Sequence, residues 1–186
     1  MGEERRDREG IAVLRVAEAE IGENLTMGLQ SLLHECFPGY PSRSYFKLPP
    51  HFRYVALPGD GVVAGQIGVE LRVIRVGNTV LRTFGLVDVC VRASDRSRGL
   101  ASMLLAEVTE FARACEMAFV ILFADDDRLY TRNGWVHVSN RCTWVKIDNH
   151  ATLGLARQAD PGVMMVKAVG SRDWPAGDVD LLGHLF

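Results

Sequence analysis

The chain predicts an α+β fold: a mixed, mostly antiparallel central sheet with one parallel βαβ unit and about four helices. Three observations carry that prediction. Apolar and polar residues alternate from 63 to 73 with the period of a half-buried strand. Strand, helix and strand follow one another over 86–123 at the length of a right-handed parallel crossover. The other apolar runs are short and bounded by Pro or Gly, as antiparallel hairpins are.

Taken in order, residues 1–10 are strongly charged and are expected to fray. Residues 11–16 are apolar enough for a first strand. Over 24–36, Leu25, Leu29, Leu32, Leu33 and Cys36 recur at steps of three and four, which predicts a helix. Pro38, Gly39 and Pro41 end it, and an exposed loop carrying Tyr45 and Phe46 is expected up to Pro50. Residues 52–57 read as a strand and Pro58-Gly59-Asp60-Gly61 as a hairpin turn. In the alternating run, Val63, Gly65, Ile67, Val69, Leu71 and Val73 take the inner face. Ala64, Gln66, Gly68, Glu70 and Arg72 take the outer one. Gly77-Asn78 then turns the chain into a strand whose end, 86–91, is apolar on both faces except at Asp88 and is expected to be central.

From 99 to 115 the period becomes helical, with Leu100, Leu104, Val108, Phe111 and Cys115 on one stripe. The uniformly apolar run 119–123 suits a buried parallel strand. Asp125, Asp126 and Asp127 are placed to cap and charge the start of a short helix that Asn133-Gly134 closes. Strands near 143–147 and 163–168 complete the sheet.

The 186 residues are 48% hydrophobic and read as one domain, 1–186. Lys and Arg number 21 against 23 Asp and Glu, a net charge of −2 that leaves no footprint for nucleic acid or an anionic membrane surface. No stretch nears the ~20 apolar residues of a membrane helix. The charged start does not read as a signal or transit peptide, and Arg6 stands where a myristoylation signal needs Ser or Thr. Cys36, Cys90, Cys115 and Cys142 lack C-x-x-C spacing, so buried thiols in a reducing cytoplasm are expected, with neither a zinc site nor a disulfide framework. No metal is expected. Histidines 34, 51, 137, 150 and 184 show no ligand spacing, and helix capping accounts for the 125–127 acids.

The segment Val91-Arg92-Ala93-Ser94-Asp95-Arg96-Ser97-Arg98-Gly99-Leu100-Ala101-Ser102 joins a buried strand to an amphipathic helix. Helix N-termini present unpaired amides and a partial positive charge that attract phosphate. Gly99 and Ala101 let the backbone close on an anion, and Arg96 and Arg98 can add charge-assisted bonds. It is neither a Walker A loop nor a dinucleotide fingerprint. Read as local chemistry alone, it is equally a helix entrance whose arginines are solvated or pair with nearby acids.

A valine five residues ahead of Arg96-Ser97-Arg98-Gly99-Leu100-Ala101, followed by a helix, resembles motif A of the GNAT acetyltransferase superfamily. Ala101 stands in place of the commoner second glycine. Downstream, Arg128-Leu129-Tyr130-Thr131-Arg132-Asn133-Gly134-Trp135 is similar to the family's tyrosine-bearing helix and turn. The resemblance covers about half of the chain. It implies acetyl-CoA as co-substrate, with the pantetheine arm along Val89, Cys90 and Val91. The pyrophosphate would lie on Arg96, Ser97, Arg98, Gly99, Leu100, Ala101 and Ser102. The tail Asp173-Trp174-Pro175-Ala176-Gly177-Asp178-Val179-Asp180 resembles that of the aminoglycoside 2′-N-acetyltransferases, as do Val91-Arg92-Ala93 and Arg128-Leu129-Tyr130. Residues 71–77 with that tail resemble, more distantly, the nodulation-factor N-acyltransferases. The loop at 41–47 is basic and aromatic where the aminoglycoside enzymes carry an acidic one. Asp88 stands one position from their strand glutamate.

Acetyl transfer to an amine requires that the amine, with a pKa near ~10, lose a proton. The oxyanion needs a donor, for which the amides of Val89 to Val91 qualify, and the leaving thiolate, pKa ~8.5, leaves faster if protonated. The resemblance implies that Tyr130 donates that proton; a tyrosine packed for its ring is the alternative. Asp88, an acid among Leu86, Val87, Val89 and Cys90, is the candidate proton acceptor, or else a structural aspartate. Trp174, Asp178, Asp180 and Tyr45 are candidates to hold the acceptor amine by cation–π contact and charge, or to act as simple anchors. The expected activity is N-acetyl transfer to a small-molecule primary amine. A longer acyl donor, or a CoA-binding module without transfer, is the alternative. A C₂ homodimer is the commonest arrangement for a soluble enzyme.

Overall fold

The computed structural model describes residues 3–6, 10–59, 61–159 and 162–186. The chain gathers into two compact units, Met1–Val69 with Val87–Val108, and Glu70–Leu86 with Thr109–Phe186. Of the ten residues expected to fray, Glu3–Arg6 form a strand; residues 1, 2 and 7–9 lie outside the described residues.

The first unit is antiparallel. β1 (Glu3–Arg6) pairs with β2 (Ala12–Ala17), β2 with β3 (Phe52–Leu57), and β3 with the opening half of β4 (Gly65–Val76), in register at Tyr54↔Ile67. α1 (Glu23–Cys36) buries Leu29, Leu32 and Leu33, the stripe seen in the sequence, against Val16, Val55, Val63 and Cys90. A Cβ on Gly28 would stand 2.8 Å from the Val63 side chain, so the helix sits this low only on a glycine. The end of β5 (Thr79–Val91) and the start of α2 (Leu100–Ala114) complete the unit.

At its centre Arg53 is fully buried. Its Nε and Nη2 donate to the two oxygens of Glu18 (2.6 and 2.9 Å), Nη2 also to the Ser44 carbonyl (2.7 Å), and Nη1 to Gln66 Oε1 (3.0 Å). A buried guanidinium is tolerated only when paired in this way.

In the second unit β6 (Phe119–Ala124) runs parallel to β5 over Thr83↔Phe119 to Gly85↔Ile121, which is the expected crossover. β10 (Val163–Ala168) lies antiparallel to β6, and β7 (Val136–His137) pairs with β10. β8 (Arg141–Asp148) and β9 (Ala151–Ala159) form a hairpin. β11 (Val179–His184) is antiparallel to β4 and parallel to β8. The core joins Ile74, Leu81, Phe119, Ile121, Met164 and Leu181. The fold is the expected mixed α+β, with three α-helices among the described residues, the third being α3 (Arg128–Arg132), where the sequence predicts about four. None of them is long and apolar enough to cross a membrane. Asp127 occupies the cap position of α3, but it is Asp126 Oδ1 that accepts the Arg128 amide at 3.0 Å.

The expected alternation in β4 is absent from its first half, where Gly65–Glu70 are buried on both faces. From Glu70 onward the faces exchange roles: Glu70 and Arg72 are 3% and 9% exposed, while Leu71 and Val73 are 45% and 48% exposed. The tail supplies the reason. Arg72 donates to Glu70 Oε2 (2.8 Å) and to the carbonyls of Leu181 (3.2 Å) and His184 (3.0 Å). Its Nη1 also faces His184 Nδ1 at 3.3 Å, so Nδ1 accepts and Nε2 carries the proton donated to Glu70 Oε1 at 3.0 Å. A Cβ on Gly183 would press on Arg72 Nη2, which the tail carbonyls hold in place.

Burial pushes the Glu70 carboxyl up, but the hydrogen bond from His184 and the Arg72 guanidinium outweigh it and hold the group below the usual carboxylate range. A depressed folded value contributes stability that is full above the unfolded value of ~4.3 and is lost as pH falls through the folded one. Resistance of the wild type to urea unfolding is therefore expected to weaken as pH drops below ~4.3. The part of that slope due to Glu70 should vanish in Glu70→Gln; an unchanged slope would remove Glu70 from the acid response.

Candidate functional site

In the first unit the site is built where β5 ends. Asp88 has φ +52°, a left-handed conformation that costs a non-glycine residue ~1–3 kcal/mol unless its surroundings enforce it. Here two side chains do so. Gln66 Nε2 donates to the Asp88 carbonyl at 2.6 Å, and Tyr40 Oη donates to Asp88 Oδ2 at 2.6 Å. A Cβ on Gly68 would lie 2.6 Å from the Val87 side chain, so β4 can follow this kink only with a glycine there. Burial, then the charge of Asp88 and its hydrogen bond, push the Tyr40 hydroxyl far above its ordinary value. Tyr40 therefore remains a fixed donor. Around the kink Val87, Asp88 and Val89 are half-buried, while Cys90 and Val91 are buried.

The Arg92 amide donates to the Ala64 carbonyl at 2.8 Å, and a 3₁₀ turn at Ala93–Asp95 follows. Ser97 and Gly99 are left-handed (φ +63° and +79°) on either side of Arg98. Alternating hands turn successive amides to one side, as in an anion-binding nest. α2 begins at once: its first helical hydrogen bond runs from the Met103 amide to the Gly99 carbonyl at 3.0 Å, so the amides of Leu100, Ala101 and Ser102 precede it. Residues 96–99 are exposed, and the space a Cβ of Gly99 would take is open to 4 Å. The arginines are held from within: Arg96 Nε donates to the Val91 carbonyl (3.1 Å), and Arg98 pairs with buried Asp95 (2.8 Å). Arg98 thus makes the pairing with a nearby acid that the sequence leaves open, which fixes its position beside the turn.

In the second unit Tyr130 lies on α3, 8% exposed, with its ring edge-on to Trp135 at 5.8 Å. Trp174 stands edge-on to Phe119 at 5.0 Å and its indole N–H donates to Asn140 Oδ1 at 3.1 Å, so it anchors the tail. Asp178 and Asp180 both line a cavity of about 360 Å³, where they face Arg157 (2.6 Å) and Arg75 (3.4 Å). Tyr45, in the first unit, has the Arg43 guanidinium 5.2 Å above its ring.

The sequence does not point to Tyr40, Gln66, Arg53 or Glu18. Its alternation places Gln66 on the wet face and Arg53 in an ordinary strand. The one available signal is a lone cation in the otherwise apolar run Phe52–Leu57.

Several solved structures share the architecture. A GNAT family N-acetyltransferase (YhbS) from Escherichia coli in complex with CoA superposes with TM-score 0.62 at 18% identity, covering 95% of this chain and 93% of that one. A GNAT family acetyltransferase from Brucella melitensis in complex with acetyl-CoA gives 0.59 at 17%, covering 92% and 96%. An IAA acetyltransferase from Bacillus cereus gives 0.52 at 16%, covering 85% and 99%. At these identities the likeness establishes the fold. No curated protein matches. The family model described as an acetyltransferase (GNAT) domain matches residues 27–138, which include the Asp88 kink, the turn at 96–99, α3 and most of α1. With more than half of its length so matched, on the fold expected of that family, the chain belongs to the GNAT acetyltransferases, a family of acyl-transfer enzymes.

Proposed function

We propose that the chain is an acetyl-CoA-dependent N-acetyltransferase that moves an acetyl group directly to a primary amine of a small molecule. The observation that carries this reading is the exposed left-handed turn at Ser97 and Gly99, set between a buried strand end and the first amides of α2. Acetyl-CoA would supply an activated acyl thioester. The turn and Arg96 would hold its diphosphate, and the strand end at Val89, Cys90 and Val91 its pantetheine arm. An amide there would meet the oxyanion as charge develops.

Asp88 is the proposed acceptor of the amine's proton. Tyr40 fixes its Oδ2, which leaves the carboxylate one orientation. Tyr130 is the proposed donor to the departing sulfur. Asp178 and Asp180 remain candidates for the acceptor's ammonium, although each already faces an arginine that competes for it.

Titration calorimetry with acetyl-CoA is expected to show binding to the reduced wild type. Gly99→Val should weaken it ~10–100-fold, because a β-branched residue at φ +79° strains the turn by ~1–3 kcal/mol. Equal affinity would place the donor elsewhere. A panel of aminoglycosides, polyamines and amino acids, read by free CoA thiol, then tests transfer. Donor binding without thiol release from any amine would favour a non-catalytic CoA-binding module.

A further inference from the structure

We propose that Cys36 and Cys90 form a disulfide-exchange site, in which Cys36 attacks a low-molecular-weight disulfide and Cys90 resolves the product into a Cys36–Cys90 bond. The two residues are far apart in sequence but share one apolar cluster, Cys36 ending α1 and Cys90 near the end of β5. Cys36 packs against the cluster that contains Cys90, and its Sγ donates to the Val91 carbonyl at 3.6 Å, one residue beyond Cys90. Cys36 is partly exposed and Cys90 is 8% exposed, so a reagent in solution meets Cys36 first.

The electrostatics give the pair unequal roles. The hydrogen bond from Cys90 outweighs burial and the neighbouring Glu35 charge and, helped by Arg96, lowers the Cys36 thiol to about 7, while the interaction with Cys36 and burial push Cys90 up. A thiol that ionises near ambient pH is the best attacker, and a protonated neighbour in contact serves as resolving group. In the first step the Cys36 thiolate attacks one sulfur of R–S–S–R. That S–S bond breaks, and the departing RS⁻ takes up the proton Cys36 gave to solvent. In the second the Cys90 sulfur attacks Cys36 Sγ, and its proton ends on the second RS⁻. Two cysteines lose two electrons, and the small disulfide is reduced to two thiols. The cross-link ties the end of α1 beside the Val91 carbonyl that Arg96 grips.

The reduced whole chain is incubated with glutathione disulfide at neutral pH without acyl donor, quenched with acid and alkylating agent, and mapped by peptide mass spectrometry. The expected product is one cross-linked peptide joining positions 36 and 90, with Cys115 and Cys142 alkylated. The rate should level off above about 7 and not continue to rise toward the ordinary thiol value. Cys90→Ser should stop at a glutathionyl adduct on Cys36, and Cys36→Ser should leave Cys90 alkylated. A wild-type map with Cys36 alkylated, with reaction confined to Cys115, or with an adduct on Cys36 that never resolves overturns the proposal. The wild-type map is decisive by itself, so a variant that fails to fold does not remove the test. Because no donor is present, the outcome is independent of the acetyl-CoA reading.

Discussion

Glu18→Ala is expected to lower the unfolding free energy by ~3 kcal/mol or more, read as a fall in urea midpoint at unchanged slope. Arg53 is fully buried and Glu18 takes two of its N–H groups, so removing the carboxylate strands a charge that water reaches poorly. The Glu18 side chain is 20% exposed, which places the effect at the lower end of the ~3–5 kcal/mol typical of a broken buried pair. Adding Arg53→Met should recover much of the loss, because a buried ion pair replaced by an apolar side chain is often neutral. A single-variant loss below ~1 kcal/mol, the scale of an exposed pair, would mean that water stands in for Glu18. The damage should also reach the site: Arg53 holds Gln66, and Gln66 holds the Asp88 carbonyl. Transfer activity is therefore expected to fall further than folding alone accounts for.

That chain of contacts also shows what the sequence can and cannot reveal. Helix α1, the β5–α2–β6 crossover and strand β3 are readable because each buries its own periodic face against whatever lies opposite. β9 carries no such signal: it is exposed along almost all of its length, Leu155 to 79%, so no alternation marks it. β11 escapes for a related reason. Its end meets the polar pair Glu70 and Arg72 on β4, which looks like a wet face until His184 arrives from more than a hundred residues away. At the site, the turn at 96–99 is legible because glycine and a helix start are local properties. The Asp88 kink is not, since nothing local requires a left-handed aspartate. It exists because Gln66 and Tyr40, distant in sequence, each hold one of its oxygens.

Tyr130→Phe is expected to lower kcat by ~10²–10⁴, the range over which a positioned proton donor contributes, while acetyl-CoA affinity and Tm stay near wild type. The substitution separates two roles that the fold superimposes. The ring lies edge-on to Trp135 and is 8% exposed, and phenylalanine keeps that packing, so a structural tyrosine would show little change beyond the loss of one hydroxyl interaction. A chemical tyrosine loses the proton that meets the departing sulfur. Acyl donors with a better leaving group should rescue the variant more than the wild type: a thiol with a pKa well below ~8.5 departs without help. Wild-type turnover in Tyr130→Phe would transfer the donor role to another group or to water, and would leave Tyr130 as the packing partner that its contact with Trp135 already makes it.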